Sequence, residues 1–365
     1  MERRRFLESA AGSTFVWLTG LPEAMGMTTA AASMAGWRQF EVTTRLTVLE
    51  PAGPTRAWVP MPLAVDTDYQ KRLGEEWKSN GRKPRLWHDE RYGARVLCAE
   101  WPPEQHAPAL EVVCRIATRD RSADLAAASL RATRESPEHL RTFLQPSKLI
   151  PTDGVVAKTS QEITQGKSTD VERARAIYEW VVENTFRDPK VKGCGTGDIR
   201  TMLETRYLGG KCADLNALFV GLARAAGVPA REIYGLRVAE SKEFKSLGRT
   251  GDVTKAQHCR AEFYDGQHGW IPVDPADVRK VVLEEPPTGR TLDDEVVRKA
   301  RQKLFGAWEM NYLAYNWAHD LSLPGAASGS LPFLMYPQAE TGSGRKDSLE
   351  ATTFKYEIAA RELSG

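Results

Sequence analysis

Three residues in the middle of the chain have the types and settings that nucleophilic catalysis needs. Cys212 follows a Gly209-Gly210 turn and opens an apolar-striped helix. Unsatisfied amide donors and the positive end of the helix dipole favour a thiolate there, and the thiolate is the nucleophile. The glycines let a substrate backbone come close, and the Cys212 amide can help hold a developing oxyanion. His258 stands on a strand-like run, 257–264, and the turn Asp265-Gly266-Gln267-His268-Gly269 sends the chain back through 270–274. If Tyr264 pairs with Trp270, Arg260 stands opposite Asp274, and His258 and Asp274 are diagonal neighbours on one face. A one-residue bulge would undo this arrangement. With it in place, the histidine takes the thiol proton and the carboxylate fixes its tautomer. The thiolate then attacks an acyl carbon to give a thioester that water or an amine resolves. Singly, each residue has a plainer explanation: a small helix-start residue, a satisfied strand histidine, an Asp-Pro turn.

Together the motifs resemble those of the transglutaminase-like superfamily. Gly210-Lys211-Cys212-Ala213-Asp214, followed by Leu222-Ala223-Arg224-Ala225-Ala226-Gly227-Val228-Pro229-Ala230-Arg231, is similar to that family's nucleophile helix and its exit. The segments around His258 and Gly269-Trp270-Ile271-Pro272-Val273-Asp274-Pro275 are similar to its histidine and aspartate strands, and the likeness covers about residues 150–285. It implies a papain-like core with Cys212, His258 and Asp274 as a catalytic triad, and no cofactor or metal. A β-sandwich ahead of that core occurs among relatives. Some members cross-link glutamine to amines, many bacterial ones are thought to be proteases or amidases, and some have lost the nucleophile. All three residues are present here, which disfavours the inactive class.

No motif assigns the side-chain part of the oxyanion hole, for which Tyr207, upstream of the nucleophile, is the candidate. Asp214 and Arg231 match family positions and are read as structural, capping or packing the nucleophile helix. Cys194, in Gly193-Cys194-Gly195-Thr196-Gly197, is open between a redox partner of Cys212, a lining residue and a buried structural thiol. Cys259 alternates to the face opposite His258, which argues against a catalytic role. A zinc site from Cys194, Cys212, His258 and Cys259 lacks any paired C-x-x-C or H-x-x-x-H spacing, and His268 is a solvated turn residue.

The elements around these residues read as an α+β fold. Phe40, Val42, Thr44, Leu46 and Val48 alternate with polar residues, and strand-like runs follow at 56–60, 94–101 and 110–118. Residues 37–135 are therefore expected to form an N-terminal β-sandwich. Cys98 and Cys114 sit on two of its strands, either pairing or separately buried. At Thr169 the period changes: Thr169 with Glu172 makes a capping box, and Val171, Ala174, Ile177, Tyr178 and Val181 form a helical stripe. The nucleophile helix carries Leu215, Leu218, Phe219 and Leu222 and stops at Gly227 and Pro229. Strands at 232–239, 257–264 and 269–274 complete a core, 150–285, of helices packed on an antiparallel sheet. Residues 286–365 are expected to pack on that core, with a helix at 292–305 and a closing strand near 354–360. Trp308, Tyr312 and Tyr315 fall at helical spacing, as core or as a stacking surface for a sugar or peptide.

The chain has 365 residues, 41% hydrophobic and 27% charged, with 50 basic against 48 acidic groups. It is long enough for two or three domains, and no basic block tracks a phosphate backbone, so nucleic acid is not an expected partner. Arg3, Arg4 and Arg5, then Phe6-Leu7 and a mildly apolar stretch free of Lys and Arg, outline a twin-arginine export signal. Alanines around residue 32 supply a cleavage site, giving a signal peptide of residues 1–35 and a periplasmic or otherwise exported protein. No other segment nears the ~20 apolar residues of a membrane span. The odd count of five cysteines leaves at least one free thiol, for which catalysis is a reason. The leading reading is an exported thiol hydrolase cutting an amide or peptide bond through a thioester at Cys212, on envelope proteins or wall peptides. The alternatives are a protein-glutamine cross-linking transamidase and a non-catalytic binding module on the same fold.

Overall fold

The computed structural model describes residues 36–126 and 135–364, so the expected signal segment lies outside the described residues. Alternating residues in the first third form strands β1 (Arg38–Val48), β2 (Thr55–Pro60), β3 (Gln70–Ser79), β4 (Arg85–His88), β5 (Arg95–Trp101) and β6 (Ala109–Thr118). Helices follow: α1 (Pro137–Thr142), α2 (Gly154–Thr164), α3 (Asp170–Asn184), α4 (Ile199–Thr205) and α5 (Cys212–Ala225). The Thr169–Glu172 capping box opens α3 as its sequence predicts. Next come β7 (Ala230–Arg237), β8 (Gln257–Asp265), β9 (Gly269–Val273), α6 (Pro275–Glu284) and α7 (Glu295–Lys303). The chain closes with β10 (Tyr312–Asn316), β11 (Gln338–Thr341) and β12 (Phe354–Leu363).

The longer strands form three antiparallel sheets. Sheet one runs β12-β1-β6-β3, with the short strand Gly251–Asp252 on its β12 edge. Sheet two runs β11-β2-β5-β4, with Gly344–Arg345 on its β11 edge, and sheet three runs β9-β8-β7-β10. Sheets one and two face each other across Leu46, Val59, Leu97, Val112, Ala339 and Phe354, which form the interior of a sandwich. Cys98 and Cys114 lie in different sheets, one half-buried and one buried, and both are free thiols. Sheet three carries the second core. Helices α2, α3, α5 and α6 cover one of its faces around Tyr178, Leu218, Phe219, Phe263 and Val278.

Two expectations change here. Residues 286–365 do not simply pack on the core: β11 and β12 complete the two sandwich sheets, and β10 is an edge of sheet three. The N-terminal strands alone leave Leu46 and Phe40 without the neighbours that Phe354 and Ile358 supply. Trp308, Tyr312 and Tyr315 are not helical. Trp308 sits on the short strand Ala307–Trp308, the two tyrosines on β10, and all three are buried in core clusters. Burial on both faces of a strand erases the period-two signal, leaving a spacing that mimics a helix.

Among the described residues no helix is long and apolar enough to cross a membrane.

Candidate active site

Cys212 is the first residue of α5, the most buried helix of the fold, and is itself 4% exposed. Its position is fixed from two sides. The Cys194 carbonyl accepts the Ala213 amide at 2.9 Å. The Asp214 carboxylate accepts the Lys211 amide through Oδ2, and those of Thr196 and Gly197 through Oδ1, each at 2.9 Å. Asp214 thus ties the 193–197 loop to the start of the helix, a structural role of the capping kind. Arg231 has a different place. It bonds Glu262 and lies over the rings of Trp270 and Trp317, at the far end of β7 from the nucleophile.

The hairpin β8-β9 has the expected register, Tyr264 opposite Trp270, with no bulge down to Ala261 opposite Val273. The next rung brings Arg260 Nε to 3.8 Å from Asp274 Oδ2. Two residues further along β8, on the same face, His258 Nε2 lies 2.8 Å from that same Oδ2. Asp274 is also the N-cap of α6, its Oδ1 accepting the Asp277 amide at 3.1 Å and the Asn216 side-chain amide at 3.2 Å. With Nε2 committed to the carboxylate, Nδ1 is the ring nitrogen left for the Cys212 thiol, which His258 is near enough to influence electrostatically.

Several residues of this cluster were not singled out from sequence. Asp277 Oδ2 lies 3.5 Å from His258 Nε2, a second carboxylate on the imidazole, and Arg237 holds Asp277 Oδ1 at 2.6 Å. The available signal was local: Asp277 is three residues past an Asp-Pro helix start, where side chains turn back toward the N-cap. Tyr312 Oη, on β10, donates to the His258 carbonyl at 2.9 Å and pins β8 from across the intervening β7. Cys259 does alternate away from His258, but that face is the one α5 covers, so its thiol reaches Cys212 instead of pointing away from the site. Cys194 also contacts Cys212, and its Sγ donates to the Gln257 carbonyl at 3.4 Å. Tyr207 is 53% exposed and its hydroxyl donates to Asp188 at 2.7 Å. It is not among the residues lining the cleft at Cys212, so the oxyanion role expected for it has no support.

The electrostatics favour a charged pair. Burial and the Arg237 guanidinium oppose an imidazolium at His258, but Asp277 and Asp274 outweigh them and raise its pKa to about 10. Hydrogen bonds from Cys194 and Cys259, then the contact with His258, overcome burial and hold the Cys212 thiol well below its ordinary value. His258, Asp274 and Asp277 could offer metal-ligand atoms within 4.8 Å of one another. Their charge is already answered, since Arg237 bonds Asp277 and Arg260 flanks Asp274, and a divalent ion would meet two guanidinium groups. Cys212 and His258 open onto a cleft of about 640 Å³.

The family model of the transglutaminase-like superfamily matches residues 157–275, the stretch that holds all three of these residues. A Haemophilus influenzae protein described only as uncharacterized is 34% identical over 326 residues, 85% of this chain and 87% of that one. Among solved structures, one from Cytophaga hutchinsonii described as a candidate cysteine protease has a TM-score of 0.50 at 17% identity, covering 89% of this chain and 98% of that one. The periplasmic domain of TgpA from Pseudomonas aeruginosa reaches 0.37 at 16% identity, over 79% of this chain and 100% of that one. The chain belongs to the transglutaminase-like superfamily, and its fold is the mixed helix-and-antiparallel-sheet architecture of that group.

Proposed function

We propose that this protein is an exported, cysteine-dependent acyl-transfer enzyme that hydrolyses an amide or peptide bond through a thioester at Cys212. The observation that carries the reading is His258 Nε2 held 2.8 Å from Asp274 Oδ2, which leaves the other ring nitrogen for the thiol at a helix start in the same cleft. Export rests on the Arg3-Arg4-Arg5 segment of the sequence, and peptides or proteins of the cell envelope are the candidate substrates.

In this mechanism the Cys212 thiolate attacks the acyl carbon while His258 carries the proton on Nδ1. The Cys212 amide, first in α5 and without an intrahelical acceptor, donates to the oxyanion. Collapse of the intermediate breaks the C–N bond, and His258 gives its proton to the departing nitrogen. The neutral imidazole then takes a proton from water, the hydroxide attacks the thioester, and the thiolate and imidazolium are restored. Asp274 holds the ring throughout, and Asp277 stabilises its charged form.

The test is the pH dependence of iodoacetamide alkylation at Cys212, located by peptide mapping, in wild type and His258→Ala. A titration well below the ~8.5 of a free thiol, shifted upward without His258, is expected. A profile near ~8.5 in both proteins defeats the reading. Turnover of a cleaved substrate with a labelled amine present separates hydrolysis from transamidation, since only transfer gives a stable adduct.

A further inference from the structure

The chain as a whole is nearly balanced, 50 basic against 48 acidic groups, but its cleft is not. Seven Lys or Arg side chains line it against one carboxylate, Glu284, among the described residues. Glu284 is taken, bonded by both Arg187 and Lys280. Arg237 is bonded by Asp277 from behind, and Lys192 by Asp347 at 2.7 Å. The remaining three make no carboxylate ion pair among the described residues: Lys211 Nζ donates to the Val191 carbonyl, Arg249 to that of Asp252, and Lys255 is exposed. Asp188 lies within electrostatic reach of Lys211, and Asp252 of Arg249 and Lys255, but neither acid lines the cleft. Cations therefore dominate the lining that a ligand meets.

A second observation points the same way. Gln257 Nε2, beside His258 in the cleft wall, is buried with no acceptor among the described residues. A buried amide donor without a partner is costly, and a bound acceptor removes that cost. The wall thus presents ammonium, guanidinium and amide donors and no unengaged carboxylate.

We propose that this cleft takes a peptide carrying carboxylate groups on either side of the acyl carbon that meets Cys212. The proposal rests on the hydrolase reading for the role of Cys212, but the selectivity is set by Lys211, Arg249, Lys255 and Gln257. Acidic peptides are drawn in and oriented by the cationic layer, and basic ones are repelled. The acceptor requirement of Gln257 is met by a carbonyl or carboxylate oxygen of the same ligand.

Binding to the Cys212→Ala protein tests this apart from chemistry. Three probes are titrated calorimetrically at low and at physiological salt: acetyl-Glu-Gln-Glu-amide, acetyl-Lys-Gln-Lys-amide, and acetyl-Ala-Gln-Ala with a free C-terminus. The glutamate peptide is expected to bind at least about tenfold more tightly than the lysine peptide at low salt, with the gap closing as the Debye length falls to about 8 Å. Equal tightness for the free-acid alanine peptide assigns the cations to a chain-end carboxylate, and weaker binding assigns them to acidic side chains. Lys255→Glu, at an exposed position that does not threaten folding, is expected to reduce glutamate-peptide affinity severalfold and leave the alanine peptide less affected. Equal affinity for acidic and basic peptides, a preference for lysine, or no binding by any probe overturns the proposal. Acid-selective binding together with ordinary thiol behaviour at Cys212 would overturn the hydrolase reading alone.

Discussion

At the scale of single residues, His258 is held by two carboxylates and not one, and the second has a measurable signature. Asp277 favours the imidazolium, so Asp277→Asn is expected to lower the His258 pKa from about 10 by a unit or more, read by NMR titration of the histidine ring. An unchanged titration would mean that Asp277 serves Arg237 alone. Glu232 gives a second prediction. It is buried beside Tyr234, one of its oxygens is unpartnered, and burial raises its pKa to about 8 from 4.5. Because the folded value is the higher one, its contribution to stability is complete below about pH 4.5 and is lost as pH rises toward about 8, at no more than about 1.4 kcal/mol per pH unit. Glu232→Gln keeps the neutral form and is expected to be more stable than wild type by about 2–4 kcal/mol at pH 8, but near-equal at pH 4.5, in urea denaturation. Glu232 left no signal in the chain, and the helix-start spacing of Asp277 pointed to capping and not to the histidine. Cys212, His258 and Asp274 stand in motifs with a shared order, whereas Asp277 and Glu232 acquire their chemistry only from what folding packs against them.

At the scale of elements, the nucleophile helix depends on a carboxylate inside its own first turn. Asp214→Ala would leave the amides of Lys211, Thr196 and Gly197 without their acceptor and is expected to cost about 3 kcal/mol or more, with Asp214→Asn intermediate. Gly195 is the matching test from the loop side. It has φ +96°, and an added Cβ would come within 1.9 Å of Asp214 Oδ2, so Gly195→Ala should destabilise by a similar amount and slow alkylation of Cys212. Normal stability in either alanine variant would show that the loop and helix are held by other contacts. The helix itself was readable because one face repeats at 3.6 residues, and the β8-β9 hairpin because its turn fixes the register. The strand at Tyr312 was not, since both of its faces are buried and no alternation remains.

At the scale of the molecule, first and last strands are partners. β12 pairs with β1 along its length, Gln39 opposite Leu363 and Val48 opposite Phe354. Removal of residues 351–365 is expected to abolish cooperative unfolding and to expose the sandwich interior to ANS, because Phe354 and Ile358 fill both of its neighbouring clusters. A truncated chain that still melted sharply would show that the remaining strands suffice. Sequence reading located this strand but not its partner, since pairing across more than three hundred residues leaves no local pattern to read. The same strand supplies Phe354 and Tyr356 to the wall of the cleft beside Cys212. A chain cut before β12, whatever else of it folds, therefore lacks one wall of the cleft, and during synthesis that wall cannot form until residues 354–356 have been made.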